Sequence, residues 1–347
     1  MVTTPNGYPV GVRLGLLDIG SNSAQLQIVE AAVGAPPLPV HAIRVPTRLA
    51  DEVQPDGSLS VAGADRAANA VATAVDAAYR YGVDRLFPFV TAAIRDAENR
   101  DLVLDRIVQA SGIRPEYLSG DQEARLTYLA VHAWYGWSAG RLLVLDIGGG
   151  SMELALGRNT DPDIALSLPL GANRLTRRYL ESDPPTSKEL KRMRRDVRDT
   201  LGDASDRLKW EGDPHVTVGA SKTFKQLARL TGSPAQRKGP FVARTLRRDD
   251  LHRVIEKLAG MPAQHRSRLS GVSESRARQV LAGAIVADCA MTALDLDSLE
   301  ISPWALREGI VLRHLSSLAD DRDALPLQTL PARSEDGATV TTLPKQI

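Results

Sequence analysis

Two short stretches carry residue types suited to holding phosphate, and they look alike. The first is Leu16-Leu-Asp-Ile-Gly-Ser-Asn-Ser-Ala-Gln-Leu-Gln-Ile28. The second, offset by 128 positions, is Val144-Leu-Asp-Ile-Gly-Gly-Gly-Ser-Met-Glu-Leu-Ala-Leu156. In each, an aspartate (Asp18 or Asp146) precedes a run of small residues. Glycines such as Gly148, Gly149 and Gly150 admit positive φ and a close approach to a ligand. Successive N–H groups can then point into one concavity, a nest for phosphate oxygens. Ser21, Ser23 and Ser151 add hydroxyl donors, and Asn22 adds an amide. An ionised aspartate only accepts, so it belongs beside a phosphate when a cation lies between them. Mg²⁺ is the natural candidate, since it takes one or two carboxylates together with phosphate oxygens and water. A lone Asp-x-Gly loop reads equally well as a tight hairpin with a capping aspartate. Two copies favour phosphate.

The elements that must position these residues follow from periodicity. Each stretch begins as an apolar strand and leaves its turn as an alternating one, with Leu26 and Ile28, and Leu154 and Leu156, on one face. Each is therefore predicted to be a β-hairpin. Glu153 points opposite to Leu154, where it can hold Mg²⁺ directly, hold it through water, or orient a nucleophile. Ser119-Gly-Asp-Gln122 fits a capping box. The helix it opens places Leu126, Leu129, Ala130, Ala133, Trp134 and Trp137 on one stripe, which reads as core. Glu123 falls in the first turn, where the helix dipole favours its charged form. It can prepare a water for attack or simply complement the helix end, worth ~0.3–1 kcal/mol; from the residues alone the second reading is favoured. Arg95 can clamp a phosphate bidentately, or pair with Asp96 or Glu98. Lys222 can touch a phosphate at the cleft or stand as a plain surface lysine, and the second reading is favoured. Further along, the pattern predicts helices at 60–81, 187–209 and 274–294, strands at 86–90 and 216–218, and a boundary between halves near 135–140. From 320 the chain is polar and proline-bearing and reads as disordered.

Composition narrows the class. The chain has 347 residues, which favours two domains. It is 43% hydrophobic and 24% charged, as soluble globular proteins are. Its single cysteine, Cys289, excludes an internal disulfide and every multi-cysteine metal site, and fits a reducing cytoplasm. The histidines show no metal-ligand spacing. Aromatics at 4% argue against a surface that stacks on bases, so no nucleic-acid partner is expected. The apolar run 280–287 stops at Asp288, well short of the ~20 residues of a membrane span, and residues 1–8 do not resemble a signal peptide. Net charge is +1, but residues 1–140 carry 11 basic against 15 acidic residues, and residues 141–347 carry 32 against 27. The basic excess clusters at 188–198, 237–248 and 266–278. Such runs read as solvated helix faces or as a field that draws a polyanion; on the second reading, 188–198 and 266–278 form a track toward the phosphate loops.

The motif Asp18-Ile-Gly-Ser-Asn-Ser23 and the motif Asp146-Ile-Gly-Gly-Gly-Ser-Met-Glu153 resemble the two phosphate loops of the exopolyphosphatase/guanosine pentaphosphate phosphohydrolase family, part of the actin-like ATPase superfamily. Arg48-Leu49, Thr91-Ala-Ala-Ile-Arg-Asp-Ala-Glu-Asn99, Ser119-Gly-Asp-Gln-Glu-Ala-Arg125 and Ile301-Ser-Pro-Trp-Ala-Leu-Arg-Glu-Gly309 are similar to further family stretches in the same order. The resemblance covers roughly 14–315. It implies an α/β fold of two ribonuclease-H-like (actin-like ATPase) domains flanking a cleft. These would be 1–137, with a helix at 305–318 returning to it, and 138–304, followed by a disordered tail at 320–347. It implies Mg²⁺-dependent release of terminal phosphate from linear, short-chain polyphosphate, or of the 5′ phosphate from guanosine pentaphosphate. A non-catalytic polyphosphate or alarmone sensor is the remaining alternative. Glu123 takes the place of the catalytic glutamate, Asp146 and Glu153 that of the second acidic site, with Asp18 beside the metal. A homodimer without membrane attachment is expected. The chain ends before the C-terminal helical domain of long members could fit. Val218-Gly-Ala-Ser-Lys-Thr223 lacks the paired glycines of superfamily kinases, which disfavours an ATP-dependent kinase.

Overall fold

The computed structural model describes residues 12–32, 35–319, 328–330, 332–333 and 339–340. The chain opens with β1 (Val12–Ile19), β2 (Ser23–Ala31) and β3 (Pro39–Pro46). Then come α1 (Val61–Arg80), β4 (Arg85–Val90), the one-turn α2 (Ala92–Arg95), α3 (Arg100–Ser111), β5 (Glu116–Tyr117) and α4 (Gly120–Tyr135). A second run begins in the same way with β6 (Leu142–Ile147), β7 (Met152–Gly157) and β8 (Ile164–Leu168). It continues through α5 (Ala172–Tyr179), α6 (Ser187–Trp210), β9 (Val216–Gly219), α7 (Lys222–Leu230), β10 (Thr245–Arg247) and α8 (Arg248–Ala259). It ends with α9 (Ala263–Arg266), α10 (Val280–Ala293), β11 (Ser298–Ile301), α11 (Leu306–Ala319) and β12 (Gln328–Thr329).

The same sheet path is traced twice. In the first sheet β1, β2 and β3 form an antiparallel meander, and β4 and then β5 add in parallel on the far side of β1. In the second, β6, β7 and β8 form the meander, and β9 and then β11 add in parallel beyond β6, with β10 at the edge. This is the two-sheet α/β architecture predicted from the sequence. The central strands are apolar without alternation: Leu14, Leu16, Leu17 and Ile19 are all fully buried, as strands covered on both faces must be. Helix α1 lays an alanine-rich stripe on the first sheet, including Ala64, Ala67, Val71, Ala74 and Ala78. Its N-terminus is closed by Ser60, whose hydroxyl accepts from Gly63 N at 3.0 Å. Helix α10 is buried on every side and packs against α5, α6, α7 and α8.

Helix α11 crosses back to the first sheet. Its Ile310 and Val311 pack with Leu14, Leu16, Phe87 and Phe89. A Cβ on Gly309 would lie 1.8 Å from Leu126 O, so α11 and α4 touch at backbone distance.

Three details differ from the sequence reading. The helix predicted at 274–294 starts only at Val280, and 274–276 form a separate 3₁₀ turn. Trp137 is not core: Gly136 takes φ 73, which ends α4 and breaks the periodicity, so Trp137 is 97% exposed. The stretch from 320, read as disordered, includes Gln328–Thr329 paired antiparallel with β4, and Leu330 buried in the first core. One apolar side chain and an open strand edge suffice to dock that piece. Apart from 332–333 and 339–340, the rest of 320–347 lies outside the described residues.

Candidate active site

The two hairpins predicted as phosphate loops meet tip to tip. Cross-strand register pairs Asp18 with Gln25 and Asp146 with Glu153. Each turn closes with the same bond, Gly20 N to Ser23 O at 3.1 Å and Gly148 N to Ser151 O at 2.9 Å. The glycines are there for space. Neither Gly20 nor Gly148, Gly149 or Gly150 has a positive φ, contrary to the expectation from sequence. Instead, a Cβ on Gly149 would stand 2.5 Å from Ser21 Oγ, and one on Gly150 2.5 Å from Ala92 Cβ. The second tip thus lies against the first tip and against α2. Between the hairpins is a cavity of about 210 Å³, lined by Ser21, Asn22 and Ser23 from one side and by Gly148, Gly149, Gly150 and Ser151 from the other. Among the described residues, no carbonyl accepts from the amides of Ser21, Gly149 or Gly150. The nest is therefore supplied with donors.

Four carboxylates line the same cavity: Asp18, Glu123, Asp146 and Glu153. Glu123 is positioned by the predicted capping box at the start of α4. Ser119 N donates to Gln122 Oε1 at 2.8 Å, and Gln122 N donates to Ser119 Oγ at 3.2 Å. Glu123 and Glu153 are both nearly buried, at 7% and 5% exposure. Burial, then the charge of Glu153, pushes the Glu123 carboxyl well above the usual carboxylate range, against the pull of Arg95. Burial and Asp146 push Glu153 up to about 7, although hydrogen bonds from Ser151 and Ser167 oppose this; Ser167 Oγ donates at 2.9 Å. Burial also raises Asp146 to about 6, opposed by Lys225 and Ser221, and raises Asp18, opposed by Arg307 and Arg44.

Arg95 is placed behind Glu123. Its Nη1 donates to Glu123 Oε1 and to Leu118 O at 3.0 Å, and its Nε donates to Asp96 Oδ1 at 2.8 Å. The pairing with Asp96 weighed from sequence is thus present, and Glu123 shares the guanidinium. The second hairpin is braced from outside. The amides of Ala172 and Asn173, at the start of α5, donate to the carbonyls of Gly148 and Gly149 at 3.0 and 2.9 Å. Arg174 bridges Gly150 O at 2.7 Å and Asp96 Oδ2 at 2.7 Å.

The sequence reading missed the cationic side of the cavity. Arg44 from β3, Arg276, Lys222 from the first turn of α7, and Arg307 from α11 all line it. Lys222 lines the cavity, the less favoured of its two readings from sequence. Loss of water around it, with Arg276, Arg44 and Arg307 nearby, lowers it to about 8. Burial and Arg44 lower Arg276 to about 10. Arg307 Nε stands 4.0 Å from Asp18 Oδ2, and its Nη1 is buried without a hydrogen-bond partner. Three of these four come from unrelated places in the chain. Two stretches carried a signal: 301–309 through its resemblance, and the basic cluster 266–278, which holds Arg276. The basic clusters divide in the fold. Arg276 reaches the cavity, but Arg266 is 1% exposed and Arg244 donates to four carbonyls. Arg194 pairs at 2.8 Å with the buried Asp288. Those three are structural arginines, and two of them, Arg194 and Arg266, are taken out of the predicted track at 188–198 and 266–278.

The donor set suits a hard divalent cation. Asp146 and Glu153 face each other across one hairpin; burial raises the pKa of both, the Asp146 charge raises that of Glu153 further, and a cation beside them would relieve both costs. Among the described residues, no three His, Cys, Asp or Glu side chains form a metal cage by themselves. That fits an ion completed by phosphate oxygens and water.

Comparison with known proteins places the chain. The Ppx/GppA phosphatase family matches residues 27–318. The chain is 45% identical over 309 residues to Exopolyphosphatase 1 of Mycobacterium tuberculosis, covering 89% of this chain and 90% of that one. It is 28% identical to Exopolyphosphatase 2 of the same organism, over 86% and 98% of the two chains. The crystal structure of the Aquifex aeolicus Ppx/GppA family member superposes with a TM-score of 0.71 at 26% identity, covering 90% of this chain and 99% of that one. An exopolyphosphatase from Cytophaga hutchinsonii shares the fold, with a TM-score of 0.79 at 22% identity over 88% and 98% of the chains. Since the family match runs through most of the sequence, the chain belongs to the Ppx/GppA phosphatase family.

Proposed function

We propose that this protein is a Mg²⁺-dependent exopolyphosphatase that releases the terminal phosphate of linear polyphosphate by attack of water. One observation carries the reading: four carboxylates and four cations converge on a single cavity between two donor-rich hairpins. A neutral ligand has no use for that arrangement, whereas a polyanion met by a divalent cation uses both halves. The polyphosphate named in its relatives supplies the substrate class.

The amides and hydroxyls at 20–23 and 148–151 hold the oxygens of the terminal phosphate, and Arg44, Lys222, Arg276 and Arg307 neutralise the phosphates next to it. Asp146 and Glu153 would hold Mg²⁺, together with phosphate oxygens and water and with Asp18 on the same cavity wall; the ion when bound would spread the negative charge of the transferred group. Glu123 accepts a proton from the attacking water. A new P–O bond forms, the bridging P–O bond breaks, and the shortened chain leaves with the electron pair. Burial raises the pKa of Glu123, which makes its carboxylate a stronger base than an ordinary one. Arg95 keeps it aimed and ionised from behind, and this is how it serves the transferred phosphate. The working units are 1–137 with 305–318, and 138–304. The cytoplasm is the compartment that suits a lone buried cysteine, and no helix among the described residues is long and apolar enough to cross a membrane. The active form is a homodimer, which light scattering after size exclusion checks.

The deciding measurement is phosphate release from tripolyphosphate, long-chain polyphosphate, guanosine pentaphosphate and ATP, with Mg²⁺ and with chelator. Release from polyphosphate that needs Mg²⁺ and is lost in Glu123→Gln supports the reading. Release from guanosine pentaphosphate alone would replace the substrate, and binding without any release would make the protein a sensor.

A further inference from the structure

Beside the reaction cavity lies a second one, of about 510 Å³, on the other side of the first hairpin tip. Asn22 lines both. Three arginines from separate parts of the chain line it: Arg48 ahead of the 3₁₀ turn Leu49–Glu52, Arg177 on α5, and Arg278 just before α10. Asp51 and Glu274 line it too, so the wall keeps a net positive charge. Every side chain recorded along it is polar or charged, with no aliphatic or aromatic surface for a purine to lie on.

Arg48 connects this cavity to the first. Its backbone is left-handed, φ 48 and ψ 39, a conformation that strains any residue but glycine. The amides of Thr47 and Arg48 both donate to Asn22 O, at 3.1 and 3.4 Å. Leu49, the next residue, is fully buried. The strained turn therefore sends Leu49 into the core, leaves the Arg48 guanidinium exposed, and ties both to the tip that separates the two cavities. Strain of this kind collects at ligand clamps.

We propose that the second cavity is a subsite for the distal phosphates of a linear polyphosphate whose terminal phosphate occupies the reaction cavity. The proposal rests on the function given above. A chain leaving the cleft over Asn22 meets guanidinium groups that match phosphate oxygens bidentately. Its repeating charge needs no base-shaped slot.

The test is equilibrium binding of tripolyphosphate and of long-chain polyphosphate to Glu123→Gln protein, with and without Arg48→Gly and Arg278→Ala. Glycine suits the left-handed position, so Arg48→Gly removes the guanidinium without straining the fold, and Arg278→Ala alone serves as a second, exposed-site variant. The long chain should bind about 10-fold more weakly in the double variant, as loss of charge-assisted contacts predicts, while tripolyphosphate changes less than about 2-fold. Equal weakening of both ligands, or no change for the long chain, overturns the subsite. The outcome is separable from the hydrolysis assay: a wild-type protein that releases no phosphate refutes the enzymatic reading, and the chain-length-dependent shift in binding still reports on the subsite.

Discussion

The two hairpins share a backbone and differ in chemistry. Asp18 and Asp146 occupy the same register position, and the turn-closing bonds are equivalent. Across from Asp18 stands Gln25, and across from Asp146 stands Glu153. The first tip is Ser21-Asn22, side chains that donate hydrogen bonds. The second is Gly149-Gly150, bare backbone that lets α2 and Ser21 close over it. Their supports differ as well. Thr47 holds the first tip, its hydroxyl donating to Gly20 O at 2.9 Å. The N-terminus of α5 and Arg174 hold the second. A repeated scaffold can thus supply the same turn twice, while single substitutions make one copy the side-chain donor and the other the acidic face.

The sharpest way to break this comparison is at the group that stands over the acidic face. Glu123→Gln should lower kcat by about 10²–10⁴-fold, the usual worth of a positioned base, with KM for tripolyphosphate little changed. A loss below 10-fold would remove Glu123 from the chemistry. Next come the two register partners. Glu153→Gln should reduce kcat/KM by about 10–100-fold, as loss of a metal-supporting group does. It should also move the acid limb of the residual pH profile to lower pH, because the Glu153 charge adds to burial in raising Glu123. Gln25→Glu, the reciprocal change, should raise KM only a few-fold by placing one more negative charge beside a polyanion. Similar effects at the two positions would erase the distinction between the hairpins.

The glycines give a smaller contrast. Gly150→Ala forces a Cβ to within 2.5 Å of Ala92 and should cost about 1–3 kcal/mol as overpacking, seen as a fall in Tm of a few degrees. Gly20→Ala meets nothing nearer than 3.5 Å and should stay within about 0.5 kcal/mol. A last contrast is in pH dependence. Burial raises Glu153 to about 7 from an ordinary 4.5, so the folded protein keeps a proton that the unfolded chain has released. Stability is therefore lost as pH rises through that window, with the loss complete above about 7. Measured in chelator, Tm of Glu153→Gln relative to wild type should climb between pH 4.5 and 7, and Mg²⁺ should reduce the difference. A flat difference would mean that Glu153 ionises normally.

Local pattern determined much of this protein. The apolar runs and small-residue turns at 16–28 and 144–156 specified both hairpins, the Ser119–Gln122 capping box placed Glu123 in a first helical turn, and the duplication itself was readable, because all of these depend on neighbours in the chain. What the loop glycines are for was not readable, since the atoms that crowd Gly149 and Gly150 come from Ser21 and Ala92. The convergence of the cations was not readable either: Arg44, Lys222, Arg276 and Arg307 share no spacing, and only the sheets bring them to one cavity. The acidity of Glu123, Asp146 and Glu153 was equally hidden, because it arises from burial and mutual field, which fall off with distance in space and not along the chain.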